Sequence, residues 1–386
     1  MVNFQGKIFS KLPNATISIF AKMSALAREY GAINLSQGFP DFEIDQKLIQ
    51  RVTHYMDAGC NQYAPYQGVA ELRQAISHKI KLSYDRIYDW QYEINITAGA
   101  TQAINTAISC FIQEGDEVII FEPAYDSYAP SVEICKGIVK YVKLSAPDFK
   151  IDWDVIKSLV SSHTRMIIIN TPHNPTGSII GYYDFLQLSS ITRGTDIIIL
   201  SDEVYEHLVY DGNKHISACI FDDLFDRSLI IGSFGKTFHA TGWKLGYILG
   251  PANLIEEFRK LHQFVVFTCN TPIQYAIADF LADSVNYKFL NRFYQSKRDL
   301  FVEEIRNSAF KIVNSYGTYF QLLDYSNLSD LPEHEYAEYL VKNYKIASIP
   351  VSPFYHDSTN QHLLRFCFAK KEDTLFKAID ILNLLR

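Results

Sequence analysis

The chain has 386 residues, 48% of them hydrophobic, which is enough to bury a large core and more than one ordinary folding unit needs. A formal net charge of -7 argues against a nucleic-acid groove or an anionic membrane surface, since both need clustered Lys and Arg. No apolar run approaches the roughly 20 residues of a bilayer span, and residues 1–13 lack an apolar signal core, so a cytoplasmic protein acting on small molecules is expected.

In chain order, seven short apolar runs read as buried strands: 93–97, 117–121, 138–142, 166–170, 197–202, 228–232 and 245–249. Helical spacing over 101–113 and 152–162, with Thr101 and Asp152 as N-caps, supplies crossover helices between them. The alternation predicts an α/β fold whose large domain is built on a mostly parallel, doubly covered sheet. After Pro272 the pattern changes to a long helix (286–308), a strand (319–323), a helix from Glu333, a strand (363–368) and a closing helix from Glu372. This second part reads as a smaller α+β domain. The expected division is an N-terminal segment over 1–45 that packs with the small domain, a large domain over 46–285 and a small domain over 286–386. Cys60, Cys110, Cys135, Cys219, Cys269 and Cys367 lie far apart, without a C-x-x-C pair or a His at ligand spacing, so reduced thiols and no metal site are expected.

Four segments follow predicted strands, where α/β folds keep their ligands. Gly99-Ala100-Thr101 is a small-residue turn that opens a helix and lets N–H groups approach a phosphate, although it is also an ordinary helix entry. The run from Asn170 to Gly177 is a tight turn that presents Asn174 rigidly, its amide able to donate to a phenolate oxygen. Asp202 closes the strand 197–202, where a carboxylate either caps a helix or keeps a pyridine protonated so that it can store the electrons of a carbanion. Ser233-Phe234-Gly235-Lys236-Thr237 sets Lys236 between two apolar strands, and Ser233 with Lys244 could add a hydroxyl and a cation to a phosphate cup. Gly-Lys-Thr also ends a nucleotide-binding P-loop, but that motif needs Gly five residues before Gly235, where Ile230 stands. What remains is a lysine suited to imine chemistry.

The ordered set Gly99-Ala100-Thr101, Tyr125, Asn174-Pro175-Thr176-Gly177, Asp202-Glu203-Val204-Tyr205, Ser233 to Thr237 and Gly242-Trp243-Lys244-Leu245-Gly246 resembles the class I and II aminotransferases of the fold-type I pyridoxal-phosphate group, over nearly the whole chain. Within that group Ser36 to Phe42, Asn61-Gln62-Tyr63 and Phe366 to Lys371 are most similar to methionine and kynurenine aminotransferases. The resemblance implies that Lys236 holds pyridoxal 5'-phosphate as an imine and shuttles the proton from substrate Cα. It further implies Asp202 at the ring nitrogen, Asn174 and Tyr205 at the ring hydroxyl oxygen, and Tyr125 on the ring face. Gly99, Ala100, Thr101, Ser233, Lys244 and, from the neighbouring subunit of a homodimer, Tyr63 would meet the phosphate. Arg365 would clamp the substrate carboxylate with help from the Gly38 backbone. Lys244 stands where many members carry Arg, and residues 17–20 lack the Trp of kynurenine-type members.

The implied activity is transfer of an amino group from an uncharged L-amino acid (methionine, aromatic or aliphatic) to a 2-oxo acid in two half-reactions. Tyr side chains, Phe267 and aliphatics are expected along the pocket, with no second Arg for an acidic side chain. The alternative is kynurenine transamination or β-elimination from cysteine S-conjugates through the same chemistry. A regulator's effector domain would need a DNA-binding segment, and the pattern starts too early, near residue 34, to hold one.

Overall fold

The computed structural model describes all 386 residues. A first helix, Ile19–Tyr30, ends at Gly31, whose φ of 61° is the left-handed stop that glycine adopts without cost. The short strand β1 (Ile33–Asn34) follows. The main sheet is then laid down as β2 (Ile94–Thr97), β3 (Glu117–Glu122), β4 (Ile138–Lys143), β5 (Thr164–Asn170), β6 (Ile198–Asp202), β7 (Ser228–Ser233) and β8 (Gly246–Leu249). Its order is β2-β8-β7-β6-β5-β3-β4, and only β8 runs against its neighbours. Six of these seven strands are almost wholly buried, as β-branched runs must be when helices cover both faces.

A second, antiparallel sheet follows, built from β9 (Lys311–Ile312), β10 (Phe320–Asp324), β12 (Ile349–Pro350) and β13 (Leu363–Cys367) in the order β12-β13-β10-β9, while β11 (Ile346–Ala347) pairs in parallel with β1. The N-terminal stretch is stitched there, because Leu35 N–H donates to Ala347 O and Cys367 N–H donates to Leu35 O. No helix is long and apolar enough to cross a membrane.

Two expectations shift. The long helix runs over Leu290–Glu304, because Asp283 caps a tight turn at Ser284–Asn286 before it begins. Asp152 does cap its helix, but Thr101 caps nothing: the helix Ala100–Phe111 is entered through Gly99, with no side-chain cap on its first N–H groups. The hydroxyl of Thr101 instead lies 3.2 Å from that of Tyr125.

Candidate active site

Parallel strands deliver their carboxyl ends to one edge of the sheet, and the reversed β8 brings its amino end to the same edge. The loops after β2, β3, β5, β6 and β7 and the turn before β8 therefore converge. They line a cleft of about 980 Å³, open mouth included, with Phe20 and Gln37-Gly38 added from the N-terminal stretch and Phe320 and Arg365 from the second sheet. Gly38, Gly99, Ala100, Thr101, Tyr125, Asn174, Asp202, Tyr205, Ser233, Lys236, Lys244 and Arg365 all line it.

At one end the uncapped N-terminus of Ala100–Phe111 faces Lys244 and Ser233. Gly99 has a φ of 79°, and a Cβ there would sit 3.3 Å from the Lys244 amine. A Cβ on Gly246 would come within 3.1 Å of the Ala100 nitrogen. Both glycines thus let backbone N–H groups and an ammonium crowd one spot, a donor set that fits a phosphate dianion. Lys244 itself takes the left-handed conformation, φ 52°, which a side chain adopts only where its surroundings hold it.

Midway, the buried Asp202 carboxylate accepts from the Tyr128 hydroxyl at 2.6 Å and the Val204 N–H at 3.3 Å, and forms no ion pair. Burial pushes its pKa up to about 6, against the pull of those two donors and of Lys236. A protonated ring nitrogen is the kind of partner such a carboxylate lacks. Asn170 ties the neighbouring loop in, donating to Asp202 O at 2.9 Å and accepting from Asn174 N–H at 2.8 Å. Asn174 spends its side-chain oxygen on Arg365 at 2.7 Å, which leaves its NH2 group to donate to a ligand oxygen. Lys236, enclosed except where it meets the cleft, donates to Tyr319 Oη at 2.6 Å and Gly38 O at 3.2 Å. Desolvation depresses its pKa to about 8, so an appreciable fraction is free amine near neutrality.

At the far end Arg365 is wholly buried against the Phe320 ring, 3.8 Å from its centroid. Besides Asn174 it donates to Ser36 O at 3.2 Å, its Nε has no partner, and no carboxylate pairs with it. Burial lowers its pKa to about 10. A buried guanidinium with donor capacity to spare and no counter-ion is completed by a carboxylate ligand.

Phe267 stands elsewhere. It does not line the cleft of its own chain: the backbone turns outward after the helix Ala252–Val265, and Phe267, φ 65°, is left 54% exposed. It packs edge-on against Tyr63, itself 80% exposed, at 5.2 Å. Tyr63 likewise stays out of this cleft. Sequence reasoning missed Tyr128 and Tyr319. Tyr128 stands three residues after Tyr125, at the start of the helix Tyr128–Ile134, a local signal that could have found it; Tyr319 carries none, since only the fold brings it to Lys236.

The chain matches the family "Aminotransferase class I and II" over residues 30–382. It is 45% identical over 377 residues to a methionine aminotransferase of Escherichia coli, covering 97% of this chain and 98% of that protein. It is 32% identical to the human kynurenine–oxoglutarate transaminase 3, covering 95% of this chain and 87% of that one. Among solved structures, one of an Escherichia coli protein described as identifying a methionine aminotransferase function superposes with a TM-score of 0.96 at 44% identity, covering 98% of this chain and 100% of that one. An N-succinyldiaminopimelate aminotransferase from Mycobacterium tuberculosis gives 0.94 at 36% identity, with 98% and 100% covered.

Proposed function

The chain belongs to the class I and II aminotransferases, enzymes that move amino groups from amino acids to 2-oxo acids, and on that premise we propose that it uses pyridoxal 5'-phosphate at Lys236 to take the amino group of an uncharged amino acid, methionine foremost. The observation that carries this reading is the pair of enclosed cations, Lys236 and Arg365, that face one cleft with no carboxylate of the chain paired to either.

When bound, the cofactor supplies an electron sink for the carbanion formed at substrate Cα. The chain's own residues do the rest. The N-terminus of Ala100–Phe111 with Thr101, Ser233 and Lys244 would anchor the phosphate. Asp202 would hold a proton on the ring nitrogen, its acidity weakened by burial but its orientation fixed by Tyr128. Asn174 and Tyr205 would meet the ring oxygen, and Tyr125 the ring face. Arg365 would grip the substrate carboxylate, which fixes Cα within reach of the Lys236 amine for the proton to move between them.

The substrate side chain then lies toward Phe20, Tyr125 and Phe320, and Arg365 is the cleft's single guanidinium, so an acidic side chain finds no match. The exposed Tyr63–Phe267 pair suits a homodimer in which each subunit completes the other's cleft. Six unpaired cysteines suit the reducing cytoplasm. Steady-state kinetics with methionine, phenylalanine, leucine and aspartate, each against a panel of 2-oxo acids, tests the substrate class. Methionine should exceed aspartate in kcat/KM by at least about tenfold, a difference of about 1.4 kcal/mol in transition-state binding. Equal turnover of aspartate contradicts the reading, and release of pyruvate from a cysteine S-conjugate faster than any amino transfer would favour elimination instead.

A further inference from the structure

Three separate stretches of chain meet at the Lys236 amine. Lys236 belongs to the loop after β7, Gly38 to the N-terminal stretch stitched to β11 and β13, and Tyr319 stands immediately before β10. The amine donates to both other residues, at 2.6 Å to the Tyr319 hydroxyl and at 3.2 Å to the Gly38 carbonyl, and the Tyr319 hydroxyl donates to that same carbonyl. The triangle is rigid. Tyr319 is fully buried, its ring held edge-on by Tyr205 at 5.2 Å and by Phe320 at 4.8 Å. A Cβ on residue 38 would fall 2.7 Å from the Phe320 ring, so only glycine brings its carbonyl this close. Because burial raises the Tyr319 pKa well above the ordinary value, the phenol keeps its single proton. That proton is committed to Gly38, which leaves a lone pair for the amine.

We propose that Tyr319 is a positioning residue for Lys236: with the Gly38 carbonyl it forms a seat that receives the lysine amine whenever substrate has displaced it, and aims that amine at the proton it must move. The proposal rests on the reading of Lys236 as the cofactor's lysine and deepens it. When the substrate amine takes the place of the lysine, the C=N bond to Lys236 is exchanged for one to the substrate nitrogen, one proton passes from that nitrogen to the lysine nitrogen, and Lys236 departs as a neutral amine with no net oxidation. A free lysine stem has many rotamers open to it. Two fixed acceptors confine it, and both oxygens favour the ammonium that forms when the amine accepts the Cα proton. The seat also links the second sheet and the N-terminal stretch to the main sheet through the lysine, so release of the amine and the relative position of those parts are coupled.

Tyr319→Phe removes the hydroxyl and keeps the ring. In the full chain stripped of cofactor, acetic anhydride labelling of the Lys236 peptide, followed by mass spectrometry across pH, reads the amine directly. The midpoint in the variant should fall roughly one unit below that of the wild type, because an acceptor of the ammonium is gone. In the cofactor-loaded enzyme, single turnovers with methionine should slow by about tenfold to a hundredfold while KM stays within about threefold. The isotope effect from deuterium at Cα should rise, as proton transfer comes to limit the rate. An unshifted labelling midpoint together with a wild-type isotope effect overturns the seat alone. A Lys236→Ala protein that still exchanges amino groups at the native rate overturns the parent reading and the seat with it.

Discussion

The turn that follows β6 carries acidic side chains to both of its sides, and the two sides treat charge in opposite ways. On the rear, Glu206 pairs with the buried Lys79 ammonium and accepts from the Tyr84 hydroxyl at 2.8 Å and the Tyr247 hydroxyl at 2.9 Å, while Lys79 also donates to Tyr247 at 3.0 Å. Burial alone would raise the Glu206 pKa, but Lys79 overrides it and holds the carboxyl well below the usual range. On the front, four residues earlier, Asp202 has no cation in contact and its pKa goes up instead. Lys236 and Arg365 have no carboxylate either. The pair that the chain neutralises itself lies outside the cleft, whereas Asp202, Lys236 and Arg365, which it leaves without a counter-ion in contact, all line it.

This contrast can be broken at several points. The largest expected effect lies on the rear: Lys79→Met alone strands the Glu206 carboxylate and should cost about 3–5 kcal/mol in denaturant unfolding. The double variant Lys79→Met/Glu206→Met should recover most of that loss. If the single change were harmless, the pair would not be the closed structural unit described.

On the front, Asp202→Asn should lower kcat/KM by about 10²–10³-fold, yet leave the cofactor-free protein more stable. The sign follows from the direction of the shift. With a folded pKa near 6 against an ordinary 3.8, Asp202 favours folding fully only below about pH 4, and that contribution disappears as pH rises past 6. Thermal or denaturant unfolding of the two proteins should therefore agree near pH 4. At pH 8 the Asn variant should be ahead by up to about 3 kcal/mol, from roughly two units at 1.36 kcal/mol each. A wild type that is the more stable at pH 8 would erase the distinction between the two sides.

A smaller effect is expected at Arg365→Lys, which keeps the charge and loses the bidentate fork. KM for methionine should rise by about tenfold to a hundredfold, with unfolding stability changed by less than about 1 kcal/mol. A rise in KM that was matched for an uncharged analogue lacking the carboxylate would remove Arg365 from the role of clamp.

The front was far more legible in the sequence than the rear. Near-continuous apolar runs such as Met166 to Ile169 fix the strands of the main sheet within a residue or two, and once the strands are placed, the polar residues that follow them fall at one edge. Lys79 shows no such signal. It sits in the helix Ala70–Tyr84, where a lysine ordinarily reaches solvent, and its partner is 127 residues away. Tyr319 was read only as the start of a strand, since nothing local says that its hydroxyl meets Lys236, 83 positions earlier. For Phe267 the sequence carried no direction: an apolar side chain near the site in sequence can face either way, and here it stands exposed beside Tyr63. Thr101 looked like a helix cap because its type suits one, but capping there would have filled the anchor that the bare N–H groups provide.

Lys236 is the one lysine expected to bond the cofactor. Loading the protein with pyridoxal 5'-phosphate, reducing it with borohydride and mapping its peptides by mass tests this directly. The cofactor's added mass is expected on the peptide bearing Lys236 and on no other. Stoichiometric label on a different lysine, with Lys236 unmodified, would contradict it.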